Sequence, residues 1–184
     1  MSDEDGQATA VSIVVRIRRF GATWYRVLFV GARHLSFVTA PMRKQQFIHF
    51  CNWVILTSLP TPDGGETRPR RPVLFFVSNY DGDVVRYMDT FARIIPWRMR
   101  GAWWPTHKFP DMFPPGPFHQ WTIDNAYPTD HYWSAYPEAT TRDVGRALRV
   151  QEGFEALPSP GGRSRARSFE RKWRSFLSAR QGDL

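Results

Sequence analysis

Residues 96–118, PWRMRGAWWPTHKFPDMFPPGPF, hold six prolines and six aromatic side chains in 23 positions. Proline fixes φ and removes a backbone donor, so such a segment resists a continuous helix or a paired strand. Disordered segments are poor in aromatic rings, and structureless loops of this length inside a domain usually carry function. The stretch therefore reads as a stiff apolar flap over an apolar hollow, filled by a ligand or a partner subunit. Trp103 and Trp104 are its candidate substrate contacts. His107 beside them is a candidate acid or base that closes over the substrate.

A chain of 184 residues is expected to form one domain with a real core. Its eight tryptophans suit a core, an interface or a pocket wall. The single cysteine, Cys51, excludes an internal disulfide framework and a cysteine-only zinc cluster, and its apolar neighbours predict a buried thiol. No His-x-x-x-His or Cys-x-x-Cys spacing points to a metal. Neither a glycine-rich nucleotide loop nor a Gly-x-Ser-x-Gly elbow occurs, so dinucleotide and nucleotide binding is not expected from sequence. The acidic, polar start MSDEDGQATA is the reverse of a signal peptide, and no apolar run reaches the ~18–20 residues of a membrane span. A cytoplasmic protein is expected. The net charge of +8 is concentrated: residues 163–180 hold seven Arg or Lys against one Glu. A basic tail of this kind argues against nucleic-acid binding by the body of the chain, and the tail itself reads as docking on its own or a partner's surface, as contacting an anionic lipid surface, or as binding nucleic acid.

Residues 1–10 read as a disordered lead and 11–17 as a first strand. A helix is expected over 22–35, burying Trp24, Val27, Leu28, Gly31 and Leu35. Residues 46–57 form the clearest strand. Period-two alternation puts His49, Cys51, Trp53 and Ile55 on one face and Phe50, Asn52, Val54 and Leu56 on the other. An exposed connection, 60–72, leads to a strand at 73–78 that ends in Asn79-Tyr80-Asp81-Gly82, with Ser78 or Asp81 placed to cap a helix over 83–95. Pro96 stops that helix. After the flap come a strand at 131–136 and a helix at 141–156 opened by a capping box, Thr140 to Asp143. Residues 157–162 are a hinge, and 158–184 form a basic amphipathic tail. The order is βαββαβ, that of the α+β ferredoxin-like split unit with an antiparallel sheet. One sheet face then lacks helices, and homodimerisation would bury it.

Three segments carry a resemblance: HFCNWVIL at 49–56, FVSNYDGDVVRYMDTF at 76–91 and HYWSAYPEATTRDVGRALR at 131–149. Together they resemble the dimeric α/β-barrel superfamily, which includes dye-decolourising haem peroxidases, chlorite dismutases and small cofactor-free monooxygenases. Asn52 and Thr141 stand where that pattern has arginine and valine, and the Gly-x-x-Asp-Gly signature of dye-decolourising peroxidases does not occur. The resemblance implies a homodimer of ferredoxin-like fold, and it spans haem enzymes and haem-free ones.

Candidate chemistry rests on His49, Asp81, His107 and His131, with Asn52, Asn79, Trp103, Trp104 and Tyr132 as substrate contacts. Histidine is the side chain that changes charge near neutral pH. Asn79 and Asp81 sit at a strand-to-helix junction, where turn and capping roles compete with a site role. Asp130 and His131, adjacent on a strand, would point to opposite faces. The expected function is an enzyme of secondary metabolism that oxidises, cyclises or rearranges an apolar organic molecule, without a cofactor. A haem protein with His107 or His131 as axial ligand, and a non-enzymatic binding module using flap and tail, are the alternatives.

Overall fold

Long apolar alternation in three segments builds the centre of the molecule. The computed structural model describes residues 8–34, 47–157 and 163–183; residues 1–7 of the expected lead, 158–162 of the expected hinge and Leu35 lie outside them, while residues 8–10 of that lead are strand, paired with 79–81. The strands are β1 (Ala8–Arg16), β2 (Ile48–Leu56), β3 (Leu59–Pro60), β4 (Glu66–Thr67), β5 (Val73–Asp81) and β6 (Ala126–Tyr127). The described helices are α1 (Gly21–His34), α2 (Val84–Ile94), α3 (Pro96–Trp103), α4 (Pro115–Asn125), α5 (Thr141–Glu155) and α6 (Arg163–Arg180). Four strands make one antiparallel sheet in the order β2-β5-β1-β6, while β3 and β4 pair separately within the expected connection. The chain divides into two compact units, 1–138 and 139–184.

In the first unit, one sheet face carries Val11, Ile13 and Val15 of β1, Leu74, Phe76, Ser78 and Tyr80 of β5, and Cys51, Trp53 and Ile55 of β2. Helices pack on this face through rings. Tyr87 of α2 stacks on Tyr80 with centroids 4.0 Å apart and donates its hydroxyl to Ser78 Oγ at 2.6 Å. Burial pushes the Tyr87 phenol well up, so it stays a donor. Trp103 of α3 meets Phe76 and Trp53 with centroids 5.1 and 4.8 Å away, and Trp121 of α4 meets Trp103. Each well-set ring pair adds about 0.5–1.5 kcal/mol beyond its buried area.

Helix α1 forms where expected, but its buried stripe is rotated by one residue. Tyr25 is fully buried and donates to the Ala102 carbonyl at 2.6 Å, while Trp24 and Val27 are exposed. Leu28 and Phe29 complete the stripe. Helix α2 is capped by Asp83, whose carboxylate accepts from the Val85 and Arg86 amides, in place of the expected Ser78 or Asp81. That is because β5 continues through Asp81, held by Ala8 and Thr9 of β1, and the chain turns at Gly82 with φ 88°.

The expected flap is helical at its two ends, 96–103 and from 115 onward, with 104–114 irregular between them. Pro96 begins α3, and Pro115 begins α4 with Pro117 in its first turn; the missing N–H of a first-turn proline has no intrahelical partner to lose. Trp103, Met112 and Phe118 are fully buried within the core rather than roofing a hollow. The expected strand at 131–136 is absent. The fourth strand is β6, which pairs only with Ser12 and Ile13. Pro128, which has no N–H to extend the ladder, follows it at once.

The second unit is the helix pair α5 and α6. Thr140 and Asp143 form the expected capping box, with the Thr140 hydroxyl 2.6 Å from Asp143 Oδ2. That bond holds the Asp143 carboxyl below its usual range. Phe154 of α5 packs edge-on against Trp173 and Phe176 of α6. Gly153 permits this approach: a Cβ there would lie 2.8 Å from the Phe176 ring. Arg149 bonds the Asp183 carboxylate at 2.6 Å just beyond α6.

Candidate functional site

A β-bulge decides where His49 points. Ile48 pairs with Tyr80 and Phe50 with Asn79, so His49 is the extra residue on its strand. Strict alternation puts His49 on the face of Cys51, Trp53 and Ile55. The bulge instead lets Ile48 pack against the core, and His49 Nε2 lies 2.7 Å from Asp81 Oδ1. The two side chains are 24% and 14% exposed, partly withdrawn from water yet reachable.

Asp81 follows Val73, Phe75, Val77 and Asn79 in the alternation of β5, on the face opposite the helices. Asn79 is buried there, and its side-chain amide donates to the Tyr132 hydroxyl at 2.9 Å. Phe50 pairs with Asn79 and is exposed; Asn52 pairs with Val77 and is exposed too. Val54, Phe75 and Val77 are half-buried around them. Five of the nine residues singled out from sequence thus share one end of one sheet face: His49, Asn52, Asn79, Asp81 and Tyr132. This arrangement offers an imidazole–carboxylate pair and two amides beside an apolar floor.

The other four lie elsewhere. Trp103 is a core residue with no exposure, and its indole N–H has no hydrogen-bond partner among the described residues. His131 is exposed in the irregular segment after β6, with no hydrogen bond or ion pair to the described residues. Trp104 and His107 line a separate open groove of about 570 Å³ beside Arg18, Arg19, Arg71 and Lys108. Cys51 is half-buried, and burial pushes its thiol up.

Sequence reading missed a second histidine–carboxylate pair: His119 Nε2 of α4 lies 2.9 Å from Asp89 Oδ1 of α2, poorly aligned for a hydrogen bond. Only recognition that residues 115–125 are helical could have paired them. No group of three His, Cys, Asp or Glu side chains able to hold a metal gathers among the described residues. No described helix is long and apolar enough to cross a membrane. Compared with family models, curated proteins and solved structures, the chain matches none.

Proposed function

We propose that this chain is a ferredoxin-like enzyme of the dimeric α/β-barrel type that acts on an apolar organic molecule, with His49 as its acid–base residue. The observation that carries the reading is the 2.7 Å approach of His49 to Asp81. A carboxylate that holds one imidazole nitrogen fixes the tautomer and stabilises the imidazolium formed when the other nitrogen takes a proton. With Nε2–H directed at Asp81, Nδ1 is the nitrogen left for substrate. Asn52 and Asn79 supply amide contacts, and Tyr132, tied to Asn79, fixes the rim. Phe50, Val54, Phe75 and Val77 give the substrate an apolar bed. The antiparallel order with β1 and β5 central supports the ferredoxin-like assignment, and a second copy of the chain covers this face in the proposed homodimer.

The test uses a neutral apolar probe, N-phenyl-1-naphthylamine, and NMR of the histidine rings, with the His49 signal assigned by its disappearance in His49→Gln. Saturable probe binding that moves the His49 ring and Tyr132 signals is expected, with sedimentation showing a dimer. Saturable binding that leaves both signals unmoved, or no binding at all, overturns the site.

A further inference from the structure

A groove at the start of α1 lies apart from the His49–Asp81 pair. Arg18, Arg19, Arg71 and Lys108 line it together with Phe20 and Trp104, and none of the lining side chains is acidic. None of the four cations forms an ion pair among the described residues. Arg18 Nε donates to the Thr106 carbonyl at 2.9 Å, and the Arg19 guanidinium sits 5.7 Å from the centre of the Phe20 ring. Four like charges around one hollow repel one another, and a cleft lined by one sign focuses its field on an incoming counter-charge.

Two further observations say what kind of anion fits. Phe20 is 75% and Trp104 47% exposed, so two large rings stand at the groove with faces or edges free for a planar partner. Trp104 is steadied by an edge contact with Trp24 at 5.5 Å. The back of the groove is stitched by main chain: Arg18 N–H to Pro105 O at 2.7 Å, His107 N–H to Arg16 O at 2.8 Å, and a bridge between Ile17 and Thr106. A site held this way needs little ordering on binding. Helix α1 opens immediately after Phe20, which carries no acceptor to cap it, so the positive end of the helix adds to the field.

From these features we infer that the groove binds a small phosphorylated ligand carrying a planar ring, of the nucleoside di- or triphosphate class. Its volume of about 570 Å³ lies within the range of small-ligand sites. The four cationic residues line one hollow, whereas single-stranded nucleic acid is held by a basic track that continues from base to base. Arg71 and Lys108 take the phosphates, Arg19 adds charge at the rim, and Trp104 and Phe20 take the ring.

The experiment is calorimetric titration of the full chain with ATP, inorganic triphosphate and a twenty-residue oligothymidylate. One ATP per chain is expected, with weaker binding of triphosphate. Arg71→Glu with Lys108→Glu lowers ATP affinity by about a hundredfold, roughly tenfold for each charge-assisted hydrogen bond removed. Arg171→Glu with Lys172→Glu, the same charge change on exposed α6, leaves affinity within about twofold. Trp104→Ala weakens ATP but not triphosphate. Equal losses in the two double variants, oligonucleotide binding without ATP binding, or no binding of ATP overturns the assignment. Amide shifts of the wild-type chain on ATP addition decide it even where the groove variant fails to fold. Shifts centred on residues 18–23 and 104–108 support the site, and shifts centred on 163–180 refute it.

Discussion

The same substitution, glycine to alanine, is expected to act with opposite signs at Gly21 and Gly101, both in helices of the first unit. Gly21 opens α1, and a Cβ there would lie 2.3 Å from Ile17 Cγ2, 2.8 Å from Pro105 Cβ and 3.0 Å from the Pro105 carbonyl oxygen. Carbon atoms pack best at roughly 3.5–4.0 Å, so the first approach is short by more than about 1 Å. Neither neighbour can yield cheaply. Ile17 and Pro105 are fully buried; a β-branched side chain is stiff at χ1, and proline is a ring. Forcing a methyl into such a site costs about 1–3 kcal/mol, here toward the upper end. Alanine's helix advantage of about 1 kcal/mol offsets part of that, and less at the first helical residue. The net expectation for Gly21→Ala is a destabilisation of about 2 kcal/mol. Gly101 lies inside α3, where the nearest atom to an added Cβ is Trp24 Cζ2 at an ordinary 3.9 Å, and the carbonyl that accepts from the Trp24 indole is unaffected. There the helix advantage stands alone, and Gly101→Ala gains about 0.5–1 kcal/mol. Urea unfolding at a common m-value reads both as shifts of the midpoint. Midpoints that move in the same direction, or a Gly21→Ala destabilisation below about 0.5 kcal/mol, refute the packing described around the first turn of α1.

Trp103→Ala is expected to lower stability by about 3–5 kcal/mol, as for a fully buried indole, measured by the same urea melts; a change under about 1 kcal/mol would show it lining a site instead. The Arg149 guanidinium holds the Asp183 carboxyl below its usual range, so the sign for acid is fixed. The stabilisation is fully present above the pKa of an unfolded aspartate, about 3.9, and is lost as pH falls through the lower folded value. The protection factors of the α6 amides, taken against the intrinsic exchange rate at each pH, should therefore fall on acidification in wild type and show less of this dependence in Asp183→Asn; equal acid profiles refute the linkage.

Sequence pattern alone placed β1, β2, α2 and α5 to within a few residues, because alternation, apolar periodicity and the Thr140 cap each have a local cause. The misses have non-local ones. Prolines at 96, 115 and 117 read as breakers until their position in a first turn is known, and only packing puts Trp103 inside while Trp104, one residue on, faces the groove. The phase of α1 turned on Tyr25, whose hydroxyl finds Ala102 far along the chain. His49 and Asp81 were both singled out, but their meeting depends on one unpaired residue in β2, and period-two counting across it gives the wrong face. The basic groove is not legible in the sequence, because its charges are scattered along the chain and cluster only in space.

The stitching between Arg18 and Thr106 spans 88 positions of sequence. Contacts of such separation incur a loop-closure cost before they stabilise anything, and they mature late in folding. During synthesis the first strand and helix emerge long before the segment that completes the hollow beside them. A nascent chain stopped short of Pro105 can carry every arginine of that hollow and still have no back wall to hold them in place.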